Sequence, residues 1–194
     1  MLKSNKEKYM SKFVKVMYGN TSGANSNLKY KIGEVNICDN WNPNADNPKD
    51  FGGFNYTTED CIIRWLRRGD TIYDVEIPED AETIKVESAT TVYRTNMIIV
   101  KNPRKIDDDY ALYLYKISNI PEKSYYKALA GVCIMNYEKT AYAIVKDKVS
   151  KYNIDEVLKE WNDYIDHNES TEIKNKYPLV WKIEEELYKI KNEH

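Results

Sequence analysis

The alternation of apolar and polar residues predicts β-strands through the first half of the chain. Residues 13–18 are apolar and partly β-branched, and they end at Gly19, which is typical of a strand followed by a turn. Leu28, Tyr30 and Ile32 alternate with lysines, which is the period of a half-buried strand. Further strands are predicted over residues 52–57, 71–77, 83–86 and 92–100.

The period changes from strand to helix between Pro103 and Asp107. Asn102 and Pro103 are expected to stop the last strand, because proline cannot donate to a strand ladder. Helices are then predicted over residues 110–117 and 140–149 and after Pro121, Asn153 and Pro178. We therefore expect an α+β fold, with a strand-rich module over residues 1–105 and a helical region over residues 106–194 packed on it.

Two of the predicted helices have distinctive sequence features, one an apolar stripe and the other residues suited to its ends. The clearest stripe follows residue 153 and consists of Ile154, Val157, Leu158, Trp161, Tyr164 and Ile165. We expect it to pack on the protein's own sheet rather than on a partner protein, since the sheet would otherwise be left bare. A short helix is predicted after Thr57, whose hydroxyl is expected to cap the amide of Asp60, and Gly69 is expected to end it.

The composition bears on three questions: nucleic-acid binding, the redox state of the compartment and membrane anchoring. The chain has 194 residues, and 29 basic against 31 acidic residues give a formal net charge of −2. No basic stripe is visible, so nucleic-acid binding is disfavoured, and Arg64, Arg67 and Arg68 are interpreted as a solvated face rather than a nucleic-acid site. Three distant cysteines predict a reducing compartment, and no apolar run approaches the ~20 residues that span a bilayer. A cytoplasmic protein without a membrane anchor is expected.

The residues needed for several kinds of catalytic and metal-binding site are not found in suitable positions in the sequence. The histidines are His167, just past a predicted helix, and His194 at the last position, so histidine-dependent nucleophiles and metal sites are not expected. No cysteine spacing matches a zinc site, and no phosphate-binding loop occurs. We predict no metal and no cofactor. Any catalysis would rely on carboxylates, tyrosine, arginine, threonine or backbone donors.

Three blocks in fixed order resemble a known domain. Residues 51–60 read FGGFNYTTED, residues 71–81 read TIYDVEIPEDA and residues 94–100 read RTNMIIV. Over residues 18–105 the chain resembles the domain that precedes ankyrin repeats in many giant-virus proteins, and short uncharacterised proteins of phages and bacteria. The resemblance implies no specific activity. With the abundance of tyrosine and tryptophan, it favours a non-catalytic protein-binding module, viral or mobile-element encoded, that binds a host protein.

A looser similarity connects the chain with the ADP-ribosyltransferase-like fold. A first strand ending at Tyr18, and a glycine-rich strand over residues 53–58 that runs into a helix, resemble that fold. The resemblance implies an NAD-type site whose nucleotide-binding candidates are Tyr18, Asn20, Tyr56 and Thr57. It implies Tyr56 and either Glu76 or Glu87 as catalytic candidates. An enzyme of this type, or a relic that still binds a nucleotide, is therefore the alternative function, with NAD as its cofactor.

Overall fold

The computed structural model describes residues 12–86, 88–166 and 175–192, and it has the expected α+β architecture. The strands are β1 Phe13–Tyr18, β2 Thr21–Ser22, β3 Val35–Ile37, β4 Phe54–Thr58, β5 Thr71–Glu76, β6 Thr83–Val86, β7 Val92–Thr95 and β8 Met97–Lys105. The 3-10 helices are Pro48–Asp50 and Glu59–Arg68, and the α-helices are α1 Asp108–Lys116, α2 Glu122–Ile134, α3 Glu138–Lys148, α4 Ile154–Asp166 and α5 Pro178–Asn192. The change from strands to α-helices between Lys105 and Asp108 confirms the predicted transition.

The strands form one antiparallel sheet in the order β3-β8-β5-β1-β4-β7-β6, and β2 pairs with the end of β1. Strand β1 lies in the middle, between β5 and β4. Its pairing with β5 runs from Val14 to Met17, opposite Asp74 to Thr71. The first strand of the chain therefore holds the centre of the sheet, although most of its partners lie 40 to 60 residues later.

The sheet opens between β1 and β4. Within the described residues, the pairing of β1 with β4 is limited to Phe13 and Val14, opposite Thr58 and Thr57. Beyond them β4 pairs with β7 instead, whereas β1 stays with β5. Because neighbouring strands in a continuous sheet stay about 4.8 Å apart, the lost pairing leaves a cleft between a β3-β8-β5-β1 half-sheet and a β4-β7-β6 half-sheet.

One large apolar core joins the sheet to the helices. Val14, Val16 and Ile72 contribute to it from the sheet, and the 3-10 helix Glu59–Arg68 adds Ile62 and Leu66. The predicted stripe of α4 is buried in this core, apart from the half-buried Tyr164. Helix α4 packs mainly on α2 and α5 rather than directly on the sheet. The apolar face is therefore buried within the protein, but the expectation that it packs on the sheet is wrong, because α2 and α5 supply its main contacts.

A second, smaller core covers the other face of the sheet. It contains Met17, Tyr30 and Phe54, and the rings of Tyr30 and Phe54 lie 5.4 Å apart. The predicted strand over residues 28–32 is wrong in this region, because only isolated bridges form, Thr21 with Lys29 and Ile32 with Val100. The alternation there comes from packing of Tyr30 on the sheet face and not from a strand ladder.

The stop predicted at Pro103 is also wrong, since β8 continues to Lys105. The pairing with β5 shifts register between Ile72 and Asp74, so that Asn102 and Pro103 occupy a bulge. Asn102 has a φ of 53° there. A bulge tolerates proline because the extra residue leaves the ladder locally unpaired.

The predicted cap of the short helix by Thr57 is wrong. The helix begins at Glu59, and Thr58 is the capping residue, without a side-chain hydrogen bond to the helix. Thr57 instead pairs with Val14 in the sheet, and its hydroxyl donates to the carbonyl of Thr91. The ladder keeps Thr57 in β4 and directs its side chain towards the neighbouring chain segment. Gly69 follows the helix, as predicted.

The carboxylate of Asp74 in β5 accepts hydrogen bonds from three side chains. They are donated by Lys12 Nζ at 2.6 Å, Arg104 Nη1 at 2.6 Å and Asn102 Nδ2 at 2.9 Å. Burial raises the pKa of Asp74, but these hydrogen bonds and the charge of Arg104 outweigh it, and the pKa lies below its ordinary value. The folded state therefore favours the ionised carboxylate.

We expect Asp74→Asn to lower the free energy of unfolding by roughly 2 kcal/mol at pH 7. Because the folded pKa is below the unfolded one, this stabilisation is complete above about pH 4 and disappears as the pH falls through the folded value. Urea unfolding at pH 7 and at lower pH should show that the variant loses less stability on acidification than the original protein. The exposed Asp46→Asn serves as control, and an equal acid sensitivity of Asp74→Asn and the original protein would contradict the assignment.

Candidate ligand-binding cleft

The opening between β1 and β4 encloses a cavity of about 380 Å³. Strands β1, β4 and β7 form its sides, and the 3-10 helix Glu59–Arg68 and the end of β2 complete it. The described lining residues are Val14, Lys15, Val16, Ser22, Gly23, Ala24, Asn55, Tyr56, Thr57, Ile62, Trp65, Arg68, Val86, Ser88, Val92 and Arg94. Three of these side chains are basic and none is acidic.

Lys15 is the most unusual residue of the cleft. It is only 8% exposed, and its ammonium group donates one hydrogen bond, to the backbone carbonyl of Asn55 at 2.5 Å. An ammonium group has three donors. No hydrogen-bond acceptor for the other two occurs among the described residues, and the ammonium lies 5.2 Å from the ring centroid of Tyr30, which is a cation–π contact. No described carboxylate lies within ion-pair distance of it either. Burial, and next the charge of Arg94, lower the pKa of Lys15 to about 8.

The lost strand pairing explains why Lys15 takes this position. Beyond Val14 the backbone of β4 has no strand neighbour on the β1 side, so the carbonyl of Asn55 needs another donor. The Lys15 side chain crosses the gap and supplies it. The lysine therefore stabilises the opened sheet and at the same time places a positive charge inside the cleft.

Arg94 holds the opposite side of the cleft. It lies directly across from Asn55 in the β4–β7 ladder, and its Nε donates to Asn55 Oδ1 at 2.7 Å. Its Nη1 donates to the carbonyl of Gly52 at 3.3 Å, and its guanidinium carbon lies 5.7 Å from the ring centroid of Phe51. Burial lowers the pKa of Arg94, but an arginine stays charged in any accessible pH range.

Arg68 and Gly23 form the rim where β2 meets the 3-10 helix. Arg68 is exposed, and its Nη1 donates to the carbonyl of Gly23 at 3.3 Å. A Cβ atom on Gly23 would lie 1.7 Å from the carbonyl oxygen of Arg68, so only glycine permits this approach. Lys15, Arg68 and Arg94 line the cavity together, and none of the described lining residues is acidic.

Aromatic rings contribute the apolar part of the wall. Trp65 is half-buried, and its Nε1 donates to Thr90 Oγ1 at 3.1 Å, which fixes the indole plane. The Tyr56 ring stacks on Tyr93 with their centroids 5.3 Å apart. Burial raises the pKa of Tyr56, against a smaller opposing effect of its hydrogen bond with Thr83, so the phenol stays protonated. The cleft thus combines flat apolar surfaces with cationic donors.

Of the four nucleotide-binding candidates from the sequence, two line the cleft and two do not. Tyr56 and Thr57 line the cleft, as the expected nucleotide-binding role requires. Tyr18 is outside the described lining, and its hydroxyl donates to the carbonyl of Arg67 at 2.9 Å. Asn20 is also outside it, and its Nδ2 donates to the carbonyl of Tyr30 at 3.3 Å. Both of these side chains stabilise the turn after β1.

The acidic candidates are not among the described lining residues. Glu76 is exposed at the end of β5, where it forms an ion pair with Lys101. Glu87 lies outside the described residues, as do His167 and His194, whereas Val86 and Ser88 on either side of Glu87 line the cleft. The described part of the cleft therefore offers binding groups rather than a carboxylate for catalysis.

Sequence reasoning missed Lys15, Arg68 and Arg94 as a set. Lys15 could have been singled out, because it is a lysine within the apolar run of β1 and lysine is rarely buried unless it is paired. Arg68 and Arg94 are separated from it by 53 and 79 positions, counted from the residue numbers. The pairing of β1, β4 and β7 places Lys15 and Arg94, and the packing of the 3-10 helix on β1 adds Arg68.

The described residues show neither a metal cluster nor a membrane-spanning helix. No group of three or more histidine, cysteine, aspartate or glutamate side chains is placed to hold a metal ion within residues 12–86, 88–166 and 175–192. None of the helices in the same ranges has the length and apolar character needed to cross a bilayer. The three cysteines are not paired with one another.

Comparisons with known proteins leave the two resemblances as predictions. They rest on the ordered blocks of residues 51–100 and on the strand arrangement around Tyr18 and residues 53–58. No protein-family model, no curated protein and no solved structure matches this chain.

Proposed function

We propose that this protein binds a phosphate-bearing small molecule of nucleotide size in the cleft between β1 and β4. The observation that carries the proposal is the buried ammonium group of Lys15, which has two unused donors and no described carboxylate partner. Burying a charge without a counter-ion is costly. A bound anion would supply the missing charge and the missing acceptors together.

The shape and composition of the cleft favour a nucleotide over a simple anion. Its volume of about 380 Å³ is within the usual range of roughly 300–1,000 Å³ for small-molecule sites. The half-buried Trp65 offers a flat surface for a ring. Ser22 and Thr57 also line the wall, although the Thr57 hydroxyl donates to the carbonyl of Thr91 and the Ser22 hydroxyl accepts from the amide of Ala24. A phosphate on a sugar and base would use the basic, polar and aromatic parts of the cleft at once.

This proposal keeps the nucleotide-binding part of the alternative function and leaves its chemistry open. Tyr56 and Thr57, which the transferase resemblance implies as nucleotide-binding residues, lie in the cleft. Transfer of ADP-ribose also needs negative charge beside the cationic transition state. Among the described lining residues no carboxylate supplies it. Binding is therefore proposed, and catalysis and the use of NAD stay predictions from the resemblance.

We expect Lys15→Met to weaken nucleotide binding by about tenfold or more, because a hydrogen-bonded charge contributes about 1.5–3 kcal/mol. Calorimetric titrations with adenosine, AMP, ADP and NAD would measure this loss. Binding by the original protein should also weaken between pH 7 and pH 9, as Lys15 loses its proton around its pKa of about 8. Methionine has no proton to lose there, so the variant should not show this step.

The matched control is Lys31→Met, which removes an exposed lysine outside the described lining. Glu76→Gln tests the acidic candidate away from the cleft, and neither change should alter affinity. Equal affinities for adenosine and its phosphates, or no binding by any of these molecules, would contradict the proposal. A decrease of affinity that is the same for Lys15→Met and Lys31→Met would do so as well.

The protein-binding function predicted from the sequence stays a prediction. Large apolar side chains are exposed on several elements and connections. They are Tyr18, Ile32, Val35, Ile37, Tyr113, Tyr142, Tyr152, Trp181 and Tyr188.

A further inference from the structure

A second basic pocket adjoins the cleft. It has a volume of about 320 Å³, and its described lining consists of Arg64, Trp65, Arg67, Arg68, Lys127, Asp163 and Tyr164. Trp65 and Arg68 line both cavities, so the same two side chains form the boundary between them. Four of the seven residues are basic and one is acidic. The proposed function does not use this pocket.

The arginines of this pocket are held by aromatic rings. Arg64 and Arg67 are one turn apart on the 3-10 helix, which has three residues per turn, so their side chains leave from the same side. Their guanidinium carbons lie 6.0 Å and 5.2 Å from the ring centroid of Tyr164. Arg64 also lies 5.0 Å from the ring centroid of Trp65. Arg64 also has a side-chain hydrogen bond with Tyr164. These contacts hold both guanidinium groups against the Tyr164 ring.

The pocket keeps an excess of positive charge. Arg64, Arg67 and Arg68 form no ion pair with any described carboxylate, whereas Lys127 pairs with Glu160 at 3.1 Å. The Nε atom of Arg64 is buried and has no hydrogen-bond partner among the described residues. A solvated face, as expected from the sequence, does not bury a guanidinium donor in this way. A bound anion would compensate for the buried donor and the excess charge.

We infer that the second pocket receives a further phosphate of the ligand in the cleft, so that the ligand belongs to the nucleoside di- or triphosphate class. The inference rests on the proposed function. Arg68 stands between the pockets and would contact the linking phosphate, while Arg64 and Arg67 would bind the terminal one. Arginines suit this task, because the donors of a guanidinium group match two phosphate oxygens at a time.

Titrations of the full chain with AMP, ADP and ATP test the inference, and orthophosphate, pyrophosphate and tripolyphosphate make the test independent of the base. We expect affinity to increase by at least about tenfold along each series. Arg67→Ala should reduce the affinity for ATP and tripolyphosphate by about tenfold and leave the affinity for AMP unchanged. The Tyr18 hydroxyl donates to the backbone carbonyl of Arg67 and not to its side chain, so the alanine variant keeps this hydrogen bond.

Lys151→Ala is the matched control, since it removes an exposed cation that does not line either cavity. Affinities that stay constant along both series, or an equal loss for AMP and ATP in Arg67→Ala, would overturn the inference while leaving nucleotide binding in the cleft intact. A 12-nucleotide single strand that binds more tightly than ATP, and through Arg67, would overturn it in favour of a nucleic-acid site. If no phosphate compound binds, the proposed function fails with it.

Discussion

Replacing Trp161 with alanine is expected to lower the free energy of unfolding by about 3–5 kcal/mol, the usual loss for a buried tryptophan. Trp161 is completely buried in α4, and its Nε1 donates to Glu184 Oε1 of α5 at 3.2 Å. The substitution removes a large apolar volume and a hydrogen bond between two helices. Urea unfolding followed by far-ultraviolet circular dichroism measures the loss without depending on tryptophan fluorescence.

Tyr152→Ala is the aromatic control, because this side chain is 88% exposed. Its removal should change stability by less than about 0.5 kcal/mol. If Trp161→Ala were as mild as Tyr152→Ala, α4 would not belong to the core that joins the helices to the sheet. Nucleotide affinity of the remaining folded protein should be unchanged, since Trp161 lines neither cavity.

Gly69→Ala is expected to destabilise the protein by about 3 kcal/mol, at the upper end of the overpacking range. The φ of Gly69 is 171°, an extended conformation that any residue adopts, so the effect is one of space alone. A Cβ atom at this position would lie 2.2 to 2.4 Å from backbone atoms of Met17 in the central strand. Because backbone atoms cannot rotate away as a side chain does, β1 or the 3-10 helix must shift. Thermal or urea unfolding measures the loss.

Gly131→Ala supplies a control of opposite sign. Gly131 lies within α2, and an added Cβ would be 3.7 Å from the nearest neighbouring atom, Cβ of Arg67, which is an ordinary contact. Alanine should stabilise the helix by roughly 0.5–1 kcal/mol. A loss of stability in Gly131→Ala equal to that in Gly69→Ala would show that the close approach to Met17 does not cause the effect.

The sequence predicted the parts of the fold that rest on local patterns. The apolar stripe of α4 has a helical period. The helix predicted over residues 110–117 is present as α1, and Asp107 Oδ1 caps it by accepting a hydrogen bond from the Tyr110 amide at 2.8 Å. The errors came where tertiary pairing overrides the local signal. Pro103 continues a strand because a bulge accommodates it, and Thr57 stays in the sheet because Val14 pairs with it.

The candidate site was less accessible to sequence reasoning for a related reason. Tyr56 and Thr57 were found because they belong to one continuous segment that resembles a known strand. The basic groups that define the cleft come from β1, the 3-10 helix and β7, and no spacing along the chain links them. The basic and acidic residues of the chain are also nearly equal in number, so neither a basic stripe nor the net charge indicated these three residues.

The narrow connection between the two half-sheets has a mechanical consequence. In the part of the chain that the structure describes, Phe13 and Val14 provide the strand pairing between β1 and β4. Beyond these two pairs, no described ladder hydrogen bond joins β1 to β4, so separation of the two half-sheets is opposed there by the hydrogen bond from Lys15 to the carbonyl of Asn55.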